Sequence, residues 1–352
     1  MKYGIVTVYN SENCGSFLQA YAMSCAIKNL GHEAAFVRQG FKGHSSTLPE
    51  HLKKVIKCIL KGNFSGAKLL RARRPAFKHA CKSYFPVVDA SEKVDCLVLG
   101  SDVIWDLTVP YFYNNREFFW GTKFGNKKVI SYAPALGFAT DKELEKDSFV
   151  RDAFSGMSAV SVRDKTTKQL LEPYSNKEIQ LVCDPTYLID RDEYNKIAKP
   201  TEMDRFIFIY CYKKFSNSDQ NDIKALAQKE GLKTVTFGNA NSWCDITLAY
   251  DPLLFLSLLN KAEYVITDGF HGTAFSTIYE KKFAVIKSDS PKVLDLLELC
   301  EMSDKMTGED KKISDILLSD FNYETTRRKI KEERENSLRY LKNALGGNNE
   351  NG

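Results

Sequence analysis

The sequence predicts an α/β protein of two Rossmann-like domains that face each other across a cleft, closed by a C-terminal helix. Three observations carry this prediction. The chain has 352 residues, about twice the length of a typical domain. Short β-rich runs alternate with stretches that carry apolar residues at helical spacing, which is typical of a parallel, doubly wound sheet. This alternation occurs twice, on either side of a polar stretch that contains Pro200.

The first series of elements predicts an N-terminal domain over residues 1–192. It opens with a strand at 3–8, a polar loop, and a helix at 17–30 that Gly31 ends. A basic, helical insertion is expected at 51–84. The other predicted strands of this domain are 34–37, 96–99, 129–132, 159–162 and 180–183. The other predicted helices are 141–157 and 166–171.

The stretch 190–204 is charged and has no periodic apolar pattern, which predicts a linker. A second domain is expected at 203–322. Its predicted strands are 206–212, 234–237, 264–267 and 283–286, and its predicted helices are 219–231, 252–261 and 272–280. Residues 323–345 carry one narrow apolar stripe among many charges, which predicts a closing surface helix, and 346–352 are expected to be a disordered tail.

Composition places the chain among globular proteins and excludes several classes. Hydrophobic residues make up 43% and charged residues 27%, and no apolar run approaches the roughly 18 residues that a bilayer span needs. The first residues lack the pattern of a secretory signal. The nine cysteines are an odd number with no pair at CxxC spacing, so neither a disulfide framework nor a metal site is indicated. We expect a reducing, cytoplasmic location.

The net charge of +5 is modest but unevenly distributed. The region Lys53–Lys82 is strongly basic, which suits an acidic partner such as a phosphorylated lipid or a nucleotide sugar, or a peripheral contact with a membrane. The alternative is a solvated helical face. No nucleic-acid partner is expected.

Ligands of open α/β sheets bind at the carboxyl ends of the strands, and the loop around His271 lies at such an end. A strand ends near Thr267 and a helix begins near Gly272 and Thr273, so His271 lies at a helix N-terminus. Such a place attracts phosphate or carboxylate, and an imidazole there can exchange a proton near neutral pH. The alternative is a histidine that only caps the helix.

Two cations follow neighbouring strands in the same way. Lys292 lies just beyond the next strand, so it could reach an anion held near His271, or it is an ordinary solvated lysine. Arg163 ends the strand 159–162, and its guanidinium suits carboxylate or phosphate. Its alternative is an ion pair with Asp164 or Asp184 that holds the domain together.

Two further loops supply small polar groups for substrate binding. Gly100, Ser101 and Asp102 leave one strand, and the first strand-to-helix loop contains Asn13, Gly15 and Ser16. The chain has no GxGxxG dinucleotide fingerprint and no GxxxxGK[ST] phosphate loop.

Taken in order, six segments resemble the polysaccharide pyruvyl transferase family. They are Asn13-Cys14-Gly15-Ser16 with Gln19, Gly100-Ser101-Asp102-Val103-Ile104-Trp105, Tyr132-Ala133-Pro134-Ala135-Leu136-Gly137, Ser161-Val162-Arg163-Asp164, Cys183-Asp184-Pro185-Thr186, and Thr267-Asp268-Gly269-Phe270-His271-Gly272-Thr273-Ala274-Phe275-Ser276. The resemblance extends from residue 1 to about 295 and departs from the family pattern at Gly269 and Val103.

The resemblance implies a GT-B-like fold and the transfer of a pyruvyl group from phosphoenolpyruvate to two hydroxyls of a sugar. It implies that His271 and Arg163 are catalytic and that Lys292 binds the donor, with no cofactor beyond that donor substrate. The N-terminal domain would then hold a saccharide acceptor and the C-terminal domain would hold phosphoenolpyruvate. An acceptor carried on a lipid would place the protein at the inner face of the membrane. The alternatives are a glycosyltransferase that uses a nucleotide sugar, and a non-catalytic member of a glycan-assembly complex.

Overall fold

Two parallel sheets organise the chain in the computed structural model, which describes residues 1–41, 48–89, 94–125, 127–146, 148–238, 241–308 and 311–346. The strands of the first half are β1 (Lys2–Val6), β2 (Glu33–Val37), β3 (Val87–Val88), β4 (Cys96–Leu99), β5 (Lys128–Ser131), β6 (Val160–Val162) and β7 (Ile179–Leu181). Its helices are α1 (Cys14–Asn29), α2 (Leu48–Leu60), α3 (Phe64–Tyr84), α4 (Pro110–Tyr113), α5 (Arg116–Phe119), α6 (Asp141–Leu144), α7 (Phe149–Gly156) and α8 (Lys165–Leu171).

The second half repeats the pattern. Its strands are β8 (Phe206–Tyr210), β9 (Lys233–Phe237), β10 (Ile246–Leu248), β11 (Tyr264–Thr267) and β12 (Lys282–Val285). Its helices are α9 (Arg191–Asn195), α10 (Asn217–Glu230), α11 (Pro252–Lys261), α12 (Phe270–Ile278), α13 (Pro291–Leu299), α14 (Ile313–Leu318) and α15 (Tyr323–Leu345). Short 3₁₀ turns lie at Thr122–Phe124, Glu172–Tyr174, Pro185–Tyr187 and Ser303–Lys305.

Both sheets have the same strand order. The first runs β3-β2-β1-β4-β5 and the second runs β10-β9-β8-β11-β12, with every pair parallel. A bridge between Ile130 and Ala159 sets the parallel β6–β7 pair beside β5. The order reverses next to β1 and next to β8, and a crevice opens at such a switch point in each sheet. The predicted fold class, two Rossmann-like α/β domains, is confirmed.

One apolar core is continuous across the two sheets. Strands β4 and β8 are buried at every position, as expected for parallel strands covered on both faces. The same cluster of buried side chains contains Phe17 of α1 and Phe255 of α11, and these two helices contact each other between the sheets. The two halves therefore share one apolar core.

Helix α15 ties the two halves together. At its start, the hydroxyl of Tyr323 donates a hydrogen bond to the Lys281 carbonyl in the second half. Near its end, Tyr340 donates to the Ser131 carbonyl at 2.9 Å in the first half. The prediction of a closing helix at 323–345 agrees with these bounds.

Some predicted elements differ from the structure. The helix expected at 141–157 is two helices, α6 and α7, because the stretch 141–146 offers only one apolar residue, Leu144, to the core. The expected linker at 190–204 opens with α9, which Asp190 caps and whose Tyr194 is fully buried. Helix α12 begins at Phe270 rather than at 272.

The first sheet lies within 1–192 and the second within 203–322, and these domain boundaries stay predictions. Gly346 ends α15 in a left-handed conformation, and the rest of the expected tail, 347–352, lies outside the described residues. All nine cysteines are free thiols. Across the described parts of the chain, no helix is both long and apolar enough to cross a bilayer.

Candidate active site

The loops that follow β1 and β4 form the N-terminal wall of the site. Asn13 caps α1 by accepting a hydrogen bond from the Ser16 amide at 3.1 Å. The Ser16 hydroxyl then donates to the Asp102 carboxylate at 2.7 Å. Asp102 itself has a φ of 79°, which is unfavourable for a residue with a side chain and is found preferentially at functional sites. The loops are thus fixed to each other around a carboxylate held in a strained conformation.

Gly100 and Ser101 support this wall from behind. Gly100 has a φ of 114°, and a Cβ there would lie 2.2 Å from the Tyr132 carbonyl oxygen, so only glycine fits. Ser101 is fully buried and its hydroxyl donates to Asp184 at 3.3 Å. Neither residue lines the cavity at His271 or the cavity at Arg163. In this structure the two predicted binding residues support the loop that carries Asp102.

Arg163 forms a buried ion pair at the end of β6. Its Nη1 donates to Asp184 at 2.9 Å, and the two side chains are 3% and 0% exposed. This is the pairing that the sequence offered as the structural alternative. It occupies one nitrogen only, because Nε and Nη2 are buried and have no hydrogen-bond partner in the described structure. The guanidinium also lies over the ring of Phe270, 5.1 Å from its centroid.

His271 lies in the first turn of α12 and faces the N-terminal wall. The helix cap is Gly269, so His271 does not cap it. Its imidazole packs directly on Gly15 of α1, where an added Cβ would lie 2.1 Å from Nδ1. Nε2 is buried and has no hydrogen-bond partner among the described residues. The structure therefore holds the ring by packing and leaves one of its nitrogens unpaired.

The sequence predicts that Gly272 and Thr273 at the start of α12 bind substrate, and this stays a prediction. A Cβ on Gly272 would lie 1.9 Å from Thr267 Oγ1, so glycine is needed for close contact between α12 and β11. The Thr273 hydroxyl donates to the Gly269 carbonyl at 3.1 Å, and the residue is fully buried. Both residues shape the start of α12. Neither of them lines the cavity at His271 or the cavity at Arg163.

Lys292 is the second residue of α13 and lies between two cavities. A cavity of about 260 Å³ is lined by Lys292 and His271 together with Ser11, Asn13, Ser16 and Asp102. A second cavity of about 320 Å³ lies beside Arg163, Lys292 and Phe270. Lys292 is half-buried and forms no hydrogen bond within the described residues. Lys292 therefore lines both the cavity at His271 and the cavity at Arg163.

The charges at the site perturb one another. Burial raises the pKa of Asp102, but the charges of Arg163, His271 and Lys292 outweigh it and hold that pKa below its usual value. The pKa of Asp184 is likewise lowered, since His271 and Arg163 outweigh the effect of burial. Both carboxylates are therefore ionised at neutral pH.

The two groups proposed to exchange protons or bind anions have lowered pKa values. Burial lowers the pKa of the His271 imidazole, although Asp184 and Asp102 act in the opposite direction. Burial and then the charge of Arg163 lower the pKa of Lys292. His271 is accordingly neutral in the unliganded protein near pH 7.

Several residues at the site were missed or only touched on from the sequence. Asp184 was named as an ion-pair partner and as part of a matching segment but not as a site residue, although it too follows a strand end. Arg73 of α3 donates to the Glu12 carbonyl and lies 4.7 Å from the Tyr250 ring centroid, at the edge of the first loop. Nothing local in the sequence links these distant positions. No group of three or more His, Cys, Asp or Glu in the described parts of the chain could hold a metal ion.

Two Rossmann-like domains with parallel sheets of the same strand order define the GT-B class of folds. Solved structures of this class match nearly the whole chain. UDP-GlcNAc 2-epimerase from Neisseria meningitidis bound to UDP-GlcNAc has a TM-score of 0.52 at 12% identity and covers 99% of this chain and 100% of its own. The S. aureus MnaA structure with UDP has a TM-score of 0.52 at 11% identity, covering 100% and 98%. An alpha-glucosyltransferase in complex with UDP has a TM-score of 0.50 at 11% identity, covering 97% and 95%.

At such identities the likeness shows the fold alone. The family is shown by the sequence, because the family model for polysaccharide pyruvyl transferases matches residues 13–290. The chain belongs to the polysaccharide pyruvyl transferase family. The resemblance inferred from the six segments is thereby confirmed. No curated protein sequence matches the chain.

Proposed function

We propose that the protein transfers a pyruvyl group from phosphoenolpyruvate to two hydroxyls of one sugar in a saccharide acceptor, during synthesis of a cell-surface or exported polysaccharide. The observation that carries the proposal is the grouping of Arg163, Lys292 and His271. Arg163 and His271 have buried nitrogens without partners, and Lys292 lines both cavities between them. Phosphoenolpyruvate carries a carboxylate and a phosphate, which suits two cationic groups and one proton-exchanging group.

The reaction balances without a redox cofactor. A proton adds to the methylene carbon of phosphoenolpyruvate, which becomes a methyl group, and the neighbouring carbon becomes electrophilic. One sugar hydroxyl adds to that carbon, the C–O bond to phosphate breaks, and a second hydroxyl closes the ketal. Of the two hydroxyl protons released, one replaces the proton taken up by the methyl group and the other leaves on phosphate.

His271 is the residue best suited to carry protons in this scheme. His271 lines the same cavity as Asp102 and Lys292, and its buried Nε2 has no hydrogen-bond partner among the described residues. Neutral imidazole accepts a proton from a hydroxyl, and imidazolium donates one to carbon. Arg163 and Lys292 hold the carboxylate and the phosphate and stabilise the charge that develops as phosphate departs.

Binding measurements separate this function from its alternatives. Isothermal titration calorimetry with phosphoenolpyruvate and with UDP should show binding of phosphoenolpyruvate. Arg163→Lys and Lys292→Gln should each weaken it by about 10-fold or more, because a charge-assisted contact to an anion contributes roughly 1.5–3 kcal/mol. The matched control is Lys123→Gln, an exposed lysine outside both cavities.

Other binding results would support one of the two alternative functions. Tight binding of UDP without binding of phosphoenolpyruvate would support a nucleotide-sugar glycosyltransferase. Binding of neither ligand would support a non-catalytic role. His271→Asn should keep phosphoenolpyruvate binding and lose phosphate release when a panel of saccharides is supplied. Unchanged phosphate release in that variant would exclude His271 as the proton carrier.

A further inference from the structure

Helix α2 carries an apolar stripe that faces solvent. Its buried side packs through His51 and Val55, each 6% exposed, against α3, its main contact. A different side of the helix and the first residue of α3 expose large apolar side chains, namely Leu52 at 50%, Ile56 at 53%, Ile59 at 42%, Leu60 at 82% and Phe64 at 68%. Single exposed apolar residues are common on proteins, but a contiguous set marks an interaction surface.

The positions of the four residues on α2 place them on one face of that helix, and Phe64 follows at the start of α3. Residues 52, 56, 59 and 60 fall within about 100° of arc on a helix of 3.6 residues per turn. The helix has 13 residues, which is about 20 Å of length at 1.5 Å per residue. We refer to Leu52, Ile56, Ile59, Leu60 and Phe64 as the α2 stripe.

Positive charge borders the α2 stripe. The exposed Lys53 and Lys57 flank it on one side of the helix, and the exposed Lys54 and Lys61 lie farther round. Over residues 48–84 there are ten Lys and Arg residues and one acidic residue, Glu50. Because the whole chain has a net charge of only +5, the remainder of the chain is net acidic. The basic charge is thus concentrated on the helical hairpin formed by α2 and α3, which exposes the stripe.

We propose that the α2 stripe and its lysines dock the protein on the surface of an anionic lipid bilayer. An apolar stripe beside a row of lysines is the pattern of helices that lie in the membrane interface, and each lysine near an anionic surface adds attraction. A second copy of the chain fits poorly, since it would bring the same dense positive charge against this one. A nucleic acid would use the lysines and leave the apolar stripe in water.

The hairpin also connects this surface to the cleft. Helix α3 continues from the stripe to Arg73, which contacts Glu12 in the loop of Asn13 and lies over Tyr250 of the other half. A docked α2 would therefore hold the cleft at a fixed distance from the bilayer. The docking does not depend on the donor chemistry proposed above, and it would suit an acceptor anchored in a membrane.

Vesicle co-sedimentation of the full chain tests the proposal. We expect binding to vesicles that contain phosphatidylglycerol, weak binding to phosphatidylcholine alone, and weakening at high ionic strength. Leu52→Ser/Ile56→Ser/Leu60→Ser should lower the partition coefficient about 10²-fold and Lys53→Gln/Lys57→Gln should lower it about 25-fold, because each lysine near the surface contributes about fivefold and each apolar side chain at least as much.

Matched controls keep the result interpretable. Phe138→Ser removes an apolar side chain that is 82% exposed elsewhere, and Lys123→Gln/Lys142→Gln removes the same charge from other exposed positions. These controls should bind vesicles like the wild type, and all variants should keep the thermal unfolding midpoint and phosphoenolpyruvate affinity of the wild type. The proposal is overturned if the wild type does not bind vesicles that contain phosphatidylglycerol, or if the stripe variants bind them as well as the controls do. It is also overturned if the wild type self-associates and the stripe variants lose self-association instead of vesicle binding.

Discussion

The contact between Gly15 and His271 offers the sharpest test of the site, because one methyl group can move the imidazole. Gly15 is the second residue of α1 and is not in a left-handed conformation, so Gly15→Ala suits the helix. The new Cβ would lie 2.1, 2.4 and 2.7 Å from Nδ1, Cγ and Cε1 of the ring. Ordinary contact begins near 3.4 Å, so the ring must move by about 1 Å, a displacement that can cost about 10²-fold in rate.

We therefore expect Gly15→Ala to fold normally and to lose about 10²-fold in phosphoenolpyruvate-dependent phosphate release. The pKa of His271 should also rise toward its ordinary value as the ring leaves its buried place. NMR titration of the histidines measures this, since the chain has only five and His271→Asn identifies the signal. Gly156→Ala is the matched control, because Gly156 lies in α7 with nothing within 4 Å of an added Cβ.

A comparison of Gly15→Ala with Gly156→Ala can contradict the proposed role of the Gly15 contact. If Gly15→Ala shows the same His271 titration and the same phosphate release as Gly156→Ala, the packing of the ring on α1 does not set its position. If both quantities change but the thermal midpoint falls sharply as well, the variant has disturbed α1 rather than the ring. Comparison of amide spectra for the two variants distinguishes a local displacement from a disordered helix.

Three further predictions concern stability. Arg163→Ala should lower the free energy of unfolding in urea by about 3–5 kcal/mol because it leaves the Asp184 carboxylate buried and unpaired, and Arg163→Met/Asp184→Asn should recover most of that loss. The folded-state pKa of His271 lies below its unfolded value, so its contribution is present above about pH 6.5 and is lost as pH falls toward the folded pKa; His271→Gln should flatten the fall in thermal midpoint between about pH 7.5 and 5.5. Ser337→Ala should cost about 1–3 kcal/mol, measured in the same urea titration, because the Cys183 amide loses its 2.9 Å partner.

The fold could be predicted from local pattern because most elements have strong signals of their own. Strand β11 and helices α11 and α15 have the predicted bounds, each set by a clear apolar run or cap. The sequence pattern did not predict strand β3, because this strand has only two residues, Val87 and Val88, and forms by pairing with β2 at the edge of the sheet. Its existence depends on the neighbouring strand, which no local pattern reveals.

The site was predicted in outline but not in detail. The rule that ligands lie at strand ends located Arg163, Asp102 and His271, and the structure brings these residues together. The rule did not reveal that the His271 imidazole packs on Gly15. It also did not reveal that the Thr273 hydroxyl donates a hydrogen bond to the Gly269 carbonyl at the start of its own helix. Those facts depend on how one domain packs on the other, and a single sequence holds no record of contacts between distant segments.

The charges at the site suggest how donor binding and proton transfer are linked in the proposed reaction. Arg163 and Lys292 are opposed by Asp102 and Asp184, and burial lowers the pKa of the His271 imidazole below its ordinary value. His271 is therefore unprotonated in the unliganded site near pH 7. A bound anionic donor adds negative charge beside the imidazole and raises its pKa. The proton donor is then formed by the arrival of the donor molecule. An empty site would hold a neutral imidazole, and protonation of carbon would be confined to the complex that contains the substrate.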